Sequence, residues 1–309
     1  MLEIRGLTKL YNKFLALDEL ELSIGSGQLY GLIGPNGAGK TTIMKIIAGL
    51  IEADKGDVVV NGNHIVHNKN EVKEIIGYMP DEFGIYSNMT ALDYLELFAE
   101  IYGMQGLDAR KKCQNALEFV HLESYENTNV NYMSKATKQK LCLARCIIHN
   151  PKLLILDEPT NGLDSTAKLE FYTLLMELCR KGKTILITSS TLTELSKVST
   201  HMGIMNHGRI QLSGTVKQLL EKNYQVGHIS ISVHSHKDVV INLLHNHPKV
   251  KSISILEGKI VIGFTGTDDE AAGLLTCMIQ SGACILSFAK EDEDIESLFV
   301  KVIEESERR

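Results

Sequence analysis

The stretch Gly34-Pro35-Asn36-Gly37-Ala38-Gly39-Lys40-Thr41 constrains the fold more than any other part of the chain. It follows a short apolar run, residues 28–33, and precedes residues 42–50, where Ile43, Ile46, Ile47 and Leu50 recur at helical spacing. The order predicts a strand, a glycine-rich turn and a helix opened by Thr42. Such a turn aims its backbone N–H groups and the unpaired donors of the first helical turn into one concavity, where the helix dipole adds partial positive charge. Gly37 and Gly39 permit positive φ and close approach of the backbone to an anion. The expected occupant is a phosphate chain. Lys40 is then placed to reach its outer phosphates, and the Thr41 hydroxyl to hold Mg²⁺.

A second signature lies more than a hundred residues on. Leu153-Leu154-Ile155-Leu156 is an apolar strand that ends in Asp157 and Glu158, followed by Pro159. At the end of a parallel strand beside a phosphate loop, Asp157 can hold Mg²⁺ through water, and Glu158 can orient or deprotonate an attacking water. The strands at residues 153–156 and 184–188, separated by a helix over 166–180, give a βαβ rhythm and predict a parallel sheet.

Around this centre the chain divides by pattern. Leu2, Ile4, Leu7 and then Leu20, Leu22, Ile24 alternate with polar residues, as in half-buried antiparallel strands. A strand over 57–60 meets Asn61-Gly62, a hairpin signal. Residues 82–150 are helical in pattern, with Thr90 and Asp93 spaced as a capping box. Residues 216–226 are expected to connect to a final segment, 227–309, which follows the order βαββαβ plus one helix and resembles a ferredoxin-like α+β domain.

On these residues the chain is similar to the ATP-binding subunits of ABC transporters over residues 1–215. The resemblance implies an α/β P-loop cassette with a parallel sheet core, an antiparallel β subdomain and a helical subdomain over about 82–150. Tyr11 stands where the family stacks an aromatic ring on adenine. Thr160-Asn161-Gly162-Leu163-Asp164 stands as its D-loop, with Asp164 near a dimer interface. Ser134-Lys135-Ala136 stands where the signature motif of one cassette touches the γ-phosphate held by the other. The implied cofactors are ATP and Mg²⁺. The implied partners are integral membrane transporter subunits and a second cassette, as homodimer or heterodimer, at the inner face of the cell membrane. The cassette with its small following domain resembles those of drug, bacteriocin or lantibiotic-immunity exporters.

Three positions depart from the family pattern. Lys135 and Ala136 replace two consecutive glycines, and a Cβ there is tolerated only if the backbone does not need positive φ. Asp81, after Ile76-Gly77-Tyr78-Met79-Pro80, replaces a glutamine that contacts Mg²⁺ and water; a carboxylate can bind Mg²⁺ but cannot donate as an amide does. Ser190 replaces a histidine near the γ-phosphate and cannot carry positive charge. Loss of one such preorganised contact costs on the order of 10²- to 10³-fold in turnover. The expectation is a chain that binds MgATP and hydrolyses it slowly or with help from a partner. Its alternative is a degenerate cassette that binds ATP as the regulatory companion of a competent one.

Bulk properties narrow the classes. With 309 residues, two domains are expected. A net charge of −6 gives no broad basic footprint, so no nucleic-acid partner is expected. No apolar stretch approaches eighteen residues and the start MLEIRGL is no signal peptide, which predicts a cytoplasmic chain. The six cysteines form no C-x-x-C pair and are expected to be reduced core thiols. His234/His236 and His245/His247 are expected to be solvated, since no thiol or carboxylate partners flank them.

Overall fold

The computed structural model describes the chain except for residues 66–68, 82–83, 85–87, 190–191, 224–226, 257–258, 292–294 and 308–309. Strands β1 (Leu2–Tyr11) and β2 (Phe14–Ile24) pair antiparallel, from Leu2 opposite Ile24 to Tyr11 opposite Phe14. Strand β3 (Leu29–Ile33) is buried throughout and runs into helix α1 (Lys40–Ile47). Strands β4 (Lys55–Val60) and β5 (Asn63–His64) form a hairpin turned by Asn61 and Gly62, both at positive φ, and complete a four-stranded sheet in the order β2-β1-β4-β5. Helix α2 (Lys69–Ile75) leads into β6 (Ile76–Met79).

A helical stretch follows: α3 (Ala91–Ile101), α4 (Gly106–Phe119), two 3₁₀ turns and α5 (Lys135–Ile147). Thr90 and Asp93 make both bonds of a capping box at the start of α3. The chain then alternates through β7 (Leu153–Leu156), α6 (Ser165–Arg180), β8 (Thr184–Ser189), α7 (Leu192–Val198), β9 (His201–Asn206) and β10 (Arg209–Thr215). These strands and two earlier ones form a six-stranded sheet in the order β10-β9-β3-β8-β7-β6. All its neighbours are parallel except β9 and β10. Its central strands read as continuous apolar runs because both faces are covered.

Helix α8 (Val216–Asn223) lies within the connector expected over 216–226. Beyond it come β11 (Gly227–Ser235), α9 (Lys237–His245), β12 (Val250–Leu256), β13 (Lys259–Phe264), α10 (Asp268–Gln280), β14 (Cys284–Glu291) and α11 (Ile295–Glu307). The third sheet is antiparallel in the order β12-β13-β11-β14, which is the ferredoxin-like arrangement of a βαββαβ chain. Its core is Ile229, Ile231, Ile260, Ile262 and Phe264 of the sheet against Val240, Leu244, Leu274 and Met278 of α9 and α10.

The chain divides into two compact units, Met1–Val216 with Val302–Arg309, and Lys217–Lys301. Two expectations need correction. Helix α1 starts two residues earlier than its apolar spacing suggested and stops at Ile47, because Gly49 turns the chain at φ 70° and leaves Leu50 exposed. Cys277 and Cys284 are exposed, so core burial holds for Cys113, Cys142 and Cys146 only.

Candidate functional site

The site is built at the C-terminal ends of neighbouring parallel strands, where ligands of such sheets are received. β3, β8 and β7 lie side by side, with Ile33 opposite Ser189 and Ile187 opposite Leu156. The phosphate loop therefore leaves one strand while Asp157 and Glu158 leave another, one strand away. Glycine is required in the loop for two separate reasons. A Cβ on Gly34 would collide with the carbonyl of Met205, and Gly39 stands at φ 107° with the Ala16 carbonyl 2.5 Å from where its Cβ would be. Gly37 also has positive φ, 82°. Gly39 is the N-cap of α1 and supplies no side-chain acceptor, so no side chain of the cap competes for the first-turn N–H groups.

Lys40 is only 7% exposed. Its ammonium donates to the Gly34 carbonyl at 2.8 Å and the Pro35 carbonyl at 3.3 Å, and lies 3.8 Å from Glu158 Oε1. Burial pulls its pKa below the ordinary lysine value, while the Glu158 and then the Asp157 carboxylates push it back up. Bend and acids thus meet at one point.

Asp157 is buried. Its Oδ1 accepts from the Thr188 hydroxyl at 2.8 Å, and the same hydroxyl accepts from the Glu158 N–H at 2.8 Å. Asp157 Oδ2 has no hydrogen-bond partner among the described residues. A buried carboxylate oxygen left open in this way fits a magnesium-bound water, so the donor set suits the cation. Glu158 itself has φ 46°, a left-handed conformation that costs a non-glycine residue on the order of 1 kcal/mol and turns its side chain out of the strand line. Neighbouring Tyr78 carries a buried hydroxyl pushed up to about 12, by burial first and the Asp157 charge next.

An open cleft of about 490 Å³ joins these groups, lined by Asn36, Gly37, Gly39, Lys40, Thr41, Thr42, Asp81 and Glu158. Tyr11 and Phe14 line it too, 44% and 59% exposed, facing each other across the end of the β1–β2 hairpin. Phe14, Ala16 and Thr188 are site residues that the sequence reading did not assign, and Asn161 entered it only within the D-loop stretch; an aromatic two residues beyond Asn12 was the available signal for Phe14. Ala38 is buried behind the loop.

The remaining predicted residues lie outside the cleft lining. Ser134 caps α5, accepting from the Thr137 N–H at 3.1 Å. Lys135 and Ala136 follow within the helix, and neither has positive φ, so the helix accommodates both Cβ atoms. The Lys135 ammonium lies beside Gly162, where it would stand 2.5 Å from an added Cβ. Asp164 caps α6, accepting from the Ala167 N–H at 2.9 Å. Ser190 lies outside the described residues.

The family profile described as ABC transporter matches residues 17–161. The bacitracin transport ATP-binding protein BcrA of Bacillus licheniformis is 30% identical over 304 residues, 98% of this chain and 97% of the relative. The chain belongs to the ABC transporter family. An ABC transporter ATP-binding protein of Bacillus subtilis, YcbN, is 31% identical over the same shares of both chains. Among solved structures, the ATP-binding cassette MJ0796, a dimer in a post-hydrolysis state with ADP and Pi bound, superposes with a TM-score of 0.63 at 25% identity, over 70% of this chain and 99% of that one. The protein is an ATP-binding and ATP-hydrolysing subunit of an exporter-type ABC transporter, and the cleft is where residues of its glycine-rich loop meet Glu158.

Proposed function

We propose that this cassette binds MgATP between Tyr11 and the 34–42 loop, and that hydrolysis there drives export through separate membrane subunits. The observation that carries the residue assignment is the meeting of Lys40 and Glu158 in one cleft, with the open oxygen of the buried Asp157 next to Glu158 in the chain. The backbone N–H groups of residues 36–42 and the Lys40 ammonium hold the phosphates. Thr41, Asp157 and Asp81 hold Mg²⁺, which when bound neutralises charge on the phosphate oxygens. Glu158 orients the attacking water and accepts its proton. Lys40 stays charged because phosphates add to the carboxylates that already favour its ammonium form.

A second cassette completes the enclosure, its Ser134-Lys135-Ala136 helix start facing the γ-phosphate and Asp164 near the interface. Docking on the membrane subunits is assigned to residues 82–102, part of which lies outside the described residues. No described helix is long and apolar enough to cross a membrane, which supports a peripheral place at the inner face with membrane passage supplied by other chains. The bacitracin transport relative supports a peptide antibiotic or similar drug as cargo. Asp81 and Ser190 in place of the family's glutamine and histidine make turnover slow or partner-dependent. The alternative is a regulatory cassette whose own Glu158 site borrows a better signature from a competent companion.

The test is equilibrium binding of a fluorescent ATP analogue together with phosphate release. Lys40→Ala is expected to lose binding by about 10²-fold or more, since each charge-assisted hydrogen bond to phosphate contributes about 1.5–3 kcal/mol. Ser190→His combined with Asp81→Gln is expected to raise turnover. If that pair lowers a turnover already equal to that of ordinary cassettes, the slow-hydrolysis reading is wrong.

A further inference from the structure

The hairpin turn between β9 and β10 backs the phosphate loop. His207 and Gly208 both have positive φ, 48° and 73°, the two-residue turn that matches the twist of its strands. The Gly208 N–H donates to the Ala38 carbonyl at 3.0 Å, and the Asp18 N–H donates to the Gly208 carbonyl at 3.1 Å. Just before the turn, Met205 fills the space where Cβ atoms of Gly34 and Gly39 would stand, with its carbonyl on the first and its methyl on the second. Loop and turn are in contact at three points. Close-packed atoms transmit small displacements, so the position of the turn sets the shape of the anion cradle.

The end of the last helix grips the turn through one side chain. Asn206 is only 3% exposed. Its Oδ1 accepts from the His207 N–H at 3.1 Å, and its Nδ2 donates to Ser306 Oγ at 2.7 Å. The Ser306 hydroxyl in turn donates to the Ile303 carbonyl at 2.7 Å, which fixes the rotamer that receives the amide. Ser306 belongs to the part of α11 that forms one unit with the cassette, whereas α11 begins among the residues of the second unit. Neither Asn206 nor Ser306 lines the cleft.

We propose that Asn206 and Ser306 are positioning residues for nucleotide binding, the last helix holding the 206–208 turn and, through it, the phosphate loop. The inference rests on the ATP site described above. It gives the chain's final turns a share in the chemistry of a loop more than 250 residues earlier.

The experiment uses the full chain, with trinitrophenyl-ATP as probe, ATP as competitor, and thermal unfolding without nucleotide as a second measurement. Ser306→Ala and Asn206→Ala are each expected to weaken binding about 5- to 10-fold, the share of one part-buried hydrogen bond. The double variant is expected to bind no more weakly than the worse single one, because both remove the same contact. Ser306→Thr, which keeps the hydroxyl, is expected to bind like the wild type. Ser306→Ala with wild-type affinity overturns the proposal, whether or not its unfolding temperature falls. Losses that multiply in the double variant overturn it as well. A wild-type chain that binds no probe, like Lys40→Ala, would instead sink the ATP assignment itself.

Discussion

The two units treat buried polarity in opposite ways. In the first, Lys40, Asp157, Thr188, Ser189 and Asn206 are all buried. In the second, Ser230 is the sole buried polar side chain among the described residues, and the core is aliphatic with one phenylalanine. Burying a charge or an amide is unfavourable unless it is hydrogen-bonded, so such groups persist where a network satisfies them or a ligand completes it. The cassette joins three of them in one connected place: Lys40 beside Glu158, Asp157 on Thr188, Thr188 on the Glu158 backbone, with one carboxylate oxygen left open among the described residues. The small unit spends its sequence on packing and local caps. Chemistry in this protein is thus concentrated where the first unit departs from what stability alone favours.

The largest effect that would break this contrast comes from Thr188→Val, which keeps shape and removes the hydroxyl. It strands both Asp157 Oδ1 and the Glu158 N–H, each worth about 1–3 kcal/mol when left unpaired in the interior. Stability is expected to fall by about 2–4 kcal/mol in urea unfolding, and turnover by about 10²-fold as the acids lose their alignment. Thr188→Ser is expected to recover most of both. Unchanged phosphate release by Thr188→Val would mean that the buried network is structural, and that the two units differ less than their cores suggest.

A smaller effect is expected from Phe14→Ala at the cleft rim. The ring is exposed, so stability should not change, while loss of one stacking face for the base is expected to weaken ATP binding about 5-fold, near the low end for base–aromatic contacts. Inorganic triphosphate, which has no base, should bind equally well to wild type and variant. Equal losses for both ligands would place Phe14 in the phosphate site rather than in an adenine platform.

Thr188 and Asn206 show where the sequence stops being legible. The phosphate loop and the acid pair are each consecutive in the chain, so their chemistry is written locally and can be read before any fold is known. Thr188 meets Asp157 across 31 residues, and Asn206 meets Ser306 across 100. All four are ordinary polar letters whose meaning comes only from the folded chain: strand order brings the first pair together, and the end of α11 beside the β9–β10 turn the second. The βαββαβ order of the last segment was readable because alternation and caps are local signals. Helix α8 was not, since its polar composition resembles that of a linker, and a helix of eight residues draws its stability from packing.

The smallest effect tests the quiet side of the comparison. Thr267 caps α10 by accepting from the Glu270 N–H, and Glu270 returns the bond to the Thr267 N–H at 2.8 Å. Glu270 also pairs with Lys249, and these bonds hold its carboxyl below the usual glutamate range. Thr267→Ala removes one half of the box and is expected to lower the stability of the second unit by about 1 kcal/mol. The pH dependence follows from the Glu270 carboxyl. A carboxyl held low by its partners stabilises the fold above its unfolded pKa and loses that contribution as pH falls through the folded value; Lys249 and the backbone N–H of residue 267 remain in the variant, so wild type and variant should both lose stability on acidification. ATP affinity should stay at the wild-type value, because the cap acts within α10 and the second unit remains folded. A loss of affinity from this one exposed threonine would show that the small unit influences the nucleotide site, and the separation of packing from chemistry would no longer hold.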